Sequence, residues 1–201
     1  MPSQDPATPV RIVLETEHGA ISIRLDADKA PRTVANFLAY VDAGLYDGGI
    51  FHRTVRLGNQ SNANLKAEAI GAGISPGADR TQLPNDAIAI EVIQGGINPA
   101  RSGELNPPIA LERTSETGLC HLDGTISMAR LTPDSAVSDF FICINDQPEL
   151  DFGGRRNPDR QGFAAFGSVE EGMDVVRTIQ TQPSDGQSLQ PPVMIRKVRR
   201  A

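Results

Sequence analysis

Two stretches near the start of the chain alternate apolar and polar residues with a period of two: Val10, Ile12 and Leu14, then Ile21, Ile23 and Leu25. A period of two sends successive side chains to opposite faces of an extended chain, so each stretch reads as a strand with one buried face. Glu17-His18-Gly19 lies between them, and polar residues closed by a glycine between two alternating runs mark a tight hairpin turn. His18 is therefore read as a turn residue. A hairpin with one apolar face must be covered, which leads to a layered or closed β-sheet.

The next segment changes period. After Ala30-Pro31, the residues Val34, Phe37, Leu38 and Val41 recur at helical spacing, with Pro31 tolerated in the first turn and Gly44 placed to end the helix. Further strands are expected at Ile50 to Val55, Thr125 to Ala129, Phe140 to Ile144, Phe163 to Val169 and Val193 to Val198. Glu170-Glu171-Gly172 leads into Met173, Val176 and Ile179, a second short amphipathic helix. Many strands and two helices predict a barrel or sandwich with covered ends. Residues 1–9 are polar and proline-rich, and they read as a flexible segment before a single domain over 10–201. Within that domain, residues 56–89 are rich in Asn, Gly, Ala and Pro and lack strong periodicity. They read as an insertion, and long connections of this kind often serve as binding loops or disordered excursions.

The net charge of −6 argues against nucleic acid or an anionic membrane as partner, since both require a concentrated positive field. The basic ending Arg196, Lys197, Arg199 and Arg200 alternates with Ile195 and Val198, as a solvated strand face does. No apolar run reaches the roughly 18 residues of a membrane span. The start lacks the basic and apolar regions of a signal peptide, and the chain has only two cysteines, Cys120 and Cys143. A cytoplasmic protein is expected.

Cofactor and metal chemistry find no support. The histidines His18, His52 and His121 are far apart, and Cys120-His121 are adjacent where a metal clamp prefers a separation of two to four. A Walker loop, a Gly-x-Ser-x-Gly elbow and a complete dinucleotide fingerprint are all missing from the sequence. Ser115, Ser127 and Asp123 could join His121 in a triad, but no nucleophile motif accompanies them.

The positive signal is a series of segments in fixed order. Ala30-Pro31-x-Thr33-Val34-x-Asn36-Phe37 is followed by Tyr46, Phe51-His52-Arg53, Ile93-Gln94-Gly95-Gly96, Gly124-Thr125-Ile126-Ser127-Met128-Ala129, Phe140-Phe141-Ile142, and Phe166-Gly167 with Gly172-Met173. This series resembles the cyclophilin-type peptidyl-prolyl cis-trans isomerases, over roughly residues 10 to 198. The resemblance implies a mainly β fold, a closed eight-stranded antiparallel barrel capped by two α-helices. It also implies an enzyme that needs no cofactor or metal and acts on proline-containing polypeptides to assist folding. The family's catalytic arginine falls on Arg53 and its substrate-binding glutamine on Gln94. Phe141 matches the floor of the proline pocket, with Leu150, Met128 and Val92 as apolar walls. His52, Ala129, Arg130 and Phe163 fall on the remaining groove positions, Arg130 where the family uses asparagine.

The chain departs from the family at several of these places. The catalytic arginine precedes Gln-Gly-Gly by roughly eight residues in the familiar members, whereas Arg53 and Gln94 are 41 apart, a difference that adds little closure entropy. The loop is expected to emerge beside the groove, where it could hold a protein partner. The family's Phe-Met wall falls on Glu91-Val92, its tryptophan on Glu149, its histidine on Phe163, and a common glutamine on Asp139. A glutamate beside a proline ring is costly if buried, so Glu91 must point away or the insertion must supply another wall. The altered pocket leaves an alternative, a proline-peptide binding or chaperone module with weak or no turnover.

Overall fold

The structure is a computed structural model and describes residues 10–60 and 88–201. The first hairpin forms as the alternation predicts: β1 (Val10–Thr16) pairs antiparallel with β2 (Gly19–Leu25), from Val10 opposite Leu25 to Thr16 opposite Gly19. Ile12, Leu14, Ile21 and Ile23 are fully buried. His18 is exposed in the turn, where its backbone N–H donates to Thr16 Oγ1 at 3.0 Å.

The remaining strands are β3 (Gly49–Val55), β4 (Val92–Gly96), β5 (Thr125–Met128), β6 (Phe140–Cys143), β7 (Ala164–Glu171), β8 (Ser184–Asp185) and β9 (Ser188–Arg200). Their order is β1-β2-β7-β5-β6-β4-β3-β9, and β9 pairs back onto β1. Eight antiparallel strands thus close a barrel, with the two-residue β8 attached to β9. Closure removes the exposed edges that an open sheet would present to other chains. Strands from both sides of the 56–89 insertion pair directly, β3 with β4. Residues 1–9 and 61–87 lie outside the described residues.

Helix α1 (Pro31–Asp42) buries Val34, Phe37, Leu38 and Val41, and Gly44 follows with φ of 63°, the left-handed conformation that ends helices without a Cβ penalty. Helix α2 (Thr114–Thr117) is a single turn that the sequence pattern did not suggest. Helix α3 (Met173–Gln180) buries Val176 and Ile179. The core is aromatic: Phe37, Tyr46, Phe140, Phe51 and Phe166 are all fully buried, with neighbouring ring centroids between 5.0 and 5.8 Å apart.

The cap of α1 comes from far along the chain. Ala30 offers no side-chain oxygen, and instead the buried Glu112 carboxylate accepts from the Arg32 and Thr33 backbone N–H groups and from Thr33 Oγ1, at 3.1, 2.8 and 2.7 Å. A negative group at a helix N-terminus satisfies orphan donors and meets the positive end of the helix dipole. Glu112→Ala is expected to lower unfolding free energy by about 1.5–3 kcal/mol, the range for hydrogen bonds to a charged group. Glu112→Gln should recover part of the loss in urea titrations.

Alternation also explains β6, which is apolar at every position. On β6, Phe140 and Ile142 join the barrel core, whereas Phe141 and Cys143 point to the other side of the wall. There they meet Val55, Ile90, Val92 and Leu150 in a second cluster, with Ala129 and Phe163 packed against it. The segment 151–163 lies over this outer cluster, and its ends are pinned by Phe163 N–H donating to the Leu150 carbonyl at 3.0 Å.

Candidate active site

The outer cluster forms the floor of a cavity of about 300 Å³. Arg53, Ile90, Val92, Gln94, Ala129, Arg130, Leu131, Phe141, Leu150, Arg156, Asn157 and Phe163 line it. Eight residues singled out from the sequence are among them. Arg53 reaches the rim because β3 carries a bulge between Phe51 and Arg53, which re-aims the side chain and sets Arg53 opposite Gln94 on β4. Its guanidinium is held on two sides: Nη1 donates to Gln94 Oε1 at 3.0 Å, while Nε and Nη2 donate to Gln187 Oε1 at 2.9 and 2.5 Å. A planar fork fixed at three nitrogens is a preorganised donor. Phe141 is held edge-on by Phe163, with centroids 5.4 Å apart at 90°, and lies nearly parallel to the His121 ring at 5.9 Å and 16°.

The sequence profile described as cyclophilin type peptidyl-prolyl cis-trans isomerase/CLD matches residues 11–200. The chain belongs to this family. Peptidyl-prolyl cis-trans isomerase A of Dickeya dadantii is 35% identical over 175 residues, covering 86% of this chain and 72% of that protein. Peptidyl-prolyl cis-trans isomerase cyp18 of Streptomyces antibioticus is 32% identical over 169 residues, covering 84% and 81%. A crystal structure of a Cryptosporidium parvum cyclophilin type isomerase superposes with a TM-score of 0.68 at 20% identity, covering 96% of this chain and 98% of that one. This cyclophilin is accordingly a cofactor-independent enzyme that isomerises X-Pro peptide bonds.

Two residues expected at the groove stand elsewhere. Met128 is no part of the cavity wall: it is 1% exposed and packs in the barrel core, because the period of two on β5 turns it away from Ser127 and Ala129. His52 is half-buried outside the cavity lining, with Nε2 3.7 Å from Asp139 Oδ2.

The departures from the family pattern resolve geometrically. Glu91 points away from the proline pocket, accepting from Asn145 Nδ2 at 3.0 Å and Gln180 Nε2 at 3.5 Å. Ile90, two positions from Val92 and so on the same face of the chain, completes the wall beside it. Arg130 folds its side chain over the Phe163 ring, 5.0 Å from the centroid, and pairs with both oxygens of Asp159 at 2.8 and 2.9 Å. Arg155 pairs with Glu149, the residue in the family's tryptophan position. The described ends of the insertion stand beside the cavity. Gln60 exchanges two hydrogen bonds with the Ile90 backbone, at 3.1 and 3.2 Å, as a strand neighbour would, and Arg156 Nη1 donates to the Ile88 carbonyl at 2.6 Å.

Behind the floor lies an Asp-His-Ser set that uses Asp151 and not Asp123. His121 Nδ1 is 2.7 Å from Asp151 Oδ1, and Nε2 is 2.9 Å from Ser127 Oγ. Ser127 is fully buried and His121 is 1% exposed, so no substrate reaches the hydroxyl and a hydrolytic role is excluded. The set anchors the ring that stacks on Phe141. Cys143 is also sealed below the floor, where burial pushes its thiol well above the ordinary range. Among the described residues no cluster of three or more His, Cys, Asp or Glu is arranged to hold a metal, and no helix is long and apolar enough to cross a membrane.

Both glycines of Gln-Gly-Gly stand at close approaches. A Cβ on Gly95 would lie 2.9 Å from the Phe51 ring, and one on Gly96 would lie 2.3 Å from Asp139 Oδ1. Asp139 thereby sits tight against β4, and burial raises its carboxyl above the ordinary value of 3.8 despite the opposing effects of His52 and Gln94. A carboxyl whose folded pKa exceeds its unfolded one contributes stability that is complete below the unfolded value and is lost as pH rises through the folded value. Asp139→Asn should therefore melt with the parent at a pH of about 3 and above it near neutrality, the gap opening upward from about pH 4. Thermal melts across that range check it, and a gap that widens toward acid would contradict it.

Proposed function

We propose that Arg53 is the electrostatic catalyst of X-Pro rotation, that Gln94 binds the substrate backbone and steadies the arginine, and that Phe141, Leu150, Val92 and Ile90 hold the proline ring. The arrangement that carries this reading is a guanidinium fixed by Gln94 and Gln187 at the rim of a cavity with an aromatic floor. Amide resonance sets a barrier of about 18–20 kcal/mol to rotation about the peptide bond. As the bond twists, the prolyl nitrogen regains a lone pair, and a donor fixed beside it binds the twisted form more strongly than the planar one. An apolar floor grips the ring of either isomer alike, so both can enter and leave. With the Arg130 side chain committed to Asp159 and Phe163, the main chain at Ala129 and Arg130 is the part proposed to engage the peptide, Phe163 closing that edge.

The substrates on this reading are exposed X-Pro segments of flexible polypeptide, consistent with a part in folding. His52 acts at most through its neighbour Asp139. A reducing, cytoplasmic setting belongs to the same proposal, supported by the two free thiols, Cys120 exposed and Cys143 buried. A protein partner held by residues 56–89 would sit beside the peptide groove, because Gln60 and Ile88 are tied at its edge. Exchange NMR on a short X-Pro peptide tests the function. Catalytic amounts of protein should bring cis and trans signals into fast exchange, and a protein that binds the peptide while leaving the exchange unchanged would overturn turnover in favour of the binding module.

A further inference from the structure

The turn that joins β8 to β9 consists of Gly186 and Gln187, with Asp185 paired opposite Ser188. This turn is fastened to the end of β3 as well as to its own hairpin. Thr54 N–H donates to the Gln187 carbonyl at 2.9 Å, and Asn59 Nδ2 donates to the carbonyls of Thr54 and Gly186, each at 3.0 Å. Asn59 is oriented for this by the Arg56 backbone N–H, which donates to its Oδ1 at 2.9 Å, while Arg56 Nη2 reaches Ser184 Oγ at 3.2 Å. In the pairing of β3 with β9, Arg53 stands opposite Ser188, the neighbour of Gln187. The main chain of Gln187 is therefore set beside Arg53 before its side chain makes any contact.

Gln187 Oε1 accepts from Arg53 Nε at 2.9 Å and Nη2 at 2.5 Å, along one edge of the guanidinium, and Gln94 Oε1 accepts from Nη1 at 3.0 Å on the other. Arginine offers only donors, so the oxygen of the Gln187 amide, and not its nitrogen, must face the guanidinium. Gln94 holds the fork at one nitrogen, about which the plane could still turn, and the grip on the second edge removes that freedom. A carboxylate at the same place would hold the edge more tightly. It would also set a negative charge against the group whose positive charge favours the twisted bond. We propose that Gln187 is a positioning residue for Arg53, whose neutral amide fixes the guanidinium plane beside the prolyl nitrogen and adds no opposing charge. Gln187 is not part of the cavity lining, so it acts through Arg53 and not on the peptide. This inference rests on the reading of Arg53 as the electrostatic catalyst.

The test compares Gln187→Ala and Gln187→Glu with the parent. Exchange NMR on an X-Pro peptide gives kcat and KM, thermal melts give stability, and heteronuclear NMR follows the Arg53 Nε–Hε signal, assigned by its loss in Arg53→Ala. In the parent that signal should be sharp and should exchange slowly with water. Gln187→Ala should broaden it through faster exchange and lower kcat about ten-fold, with KM changed less than about two-fold. Its melting temperature should stay close to the parent's, because the turn is fastened through main-chain carbonyls that the substitution leaves in place. Gln187→Glu should keep the signal sharp and melt at or above the parent, yet turn over about three- to ten-fold more slowly. A parent-like kcat with an unmoved Arg53 signal in the alanine variant would overturn the proposal. A lower kcat with a lower melting temperature and an unmoved Arg53 signal would also overturn it, in favour of a structural role for the turn. Parent-like turnover in the glutamate variant would overturn the weight placed on a neutral clamp. If Arg53→Ala turns over as fast as the parent, the reading of Arg53 fails on that result, while Gln187 is still judged by the Nε–Hε signal.

Discussion

Arg53→Ala is expected to reduce kcat/KM for a short X-Pro peptide by about 10²–10³-fold, the range seen when a preorganised transition-state donor is removed. The loss should fall on kcat more than on KM, because the planar peptide has no lone pair to offer the guanidinium and the twisted one does. Arg53→Lys separates charge from geometry. A lysine keeps the positive charge but cannot span Gln94 and Gln187 at once, as the fork does through Nη1 on one side and Nε with Nη2 on the other. It should recover only part of the rate. Neither variant removes core packing, since Arg53 is part-buried at the rim and the β3 ladder is main-chain. Both should melt close to the parent. Full activity in the alanine variant would move catalysis away from this cavity, and a large fall in melting temperature would show the arginine to be structural first.

The features that were legible in the sequence are those carried by local period or by a short motif. The first hairpin, α1 and α3 follow from spacing alone, and β5, β6, β7 and β9 were recognisable as short apolar runs between turn signals. β4 was not, because Val92-Ile93 is short and Gly95-Gly96 carries no side chains. Those glycines make sense only in three dimensions, where Phe51 and Asp139 occupy the space their side chains would take. The same holds for the site. Arg53, Gln94 and Phe141 belong to motifs, whereas Met128 was assigned without regard to which face of β5 it takes. Ile90, Leu131, Arg156, Asn157 and Gln187 were missed because they come from loops and turns outside the strands, segments with no periodicity to read. Glu112 as the cap of α1 was equally out of reach, as its partners lie 79 and 80 residues away. One signal was available for Ile90: it lies two residues before Val92 in an apolar stretch, and the alternation that places Val92 in the pocket places Ile90 there too.

Phe141→Ala is the substitution expected to affect both stability and binding. The ring is 5% exposed and packs against His121 and Phe163 on one side of the barrel wall, while Phe140 and Ile142 secure the other. Truncating a buried Phe to Ala costs about 3–5 kcal/mol, and the lower end applies here because one face of the ring already borders a cavity. Urea titration should show a lower midpoint with an unchanged slope. Peptide binding should weaken as well, because the floor on which the proline ring rests has become a pit. Phe141→Leu distinguishes the two effects. A leucine restores most of the buried volume, so stability should return to within about 1.5 kcal/mol of the parent. It offers no flat face to the proline ring and none to the His121 ring. If the leucine variant recovers stability but still binds X-Pro peptides several-fold more weakly, the aromatic face itself holds the substrate. Recovery of both together would reduce Phe141 to a space-filling residue, and the Asp151–His121–Ser127 set behind it would then brace a wall and not a binding surface.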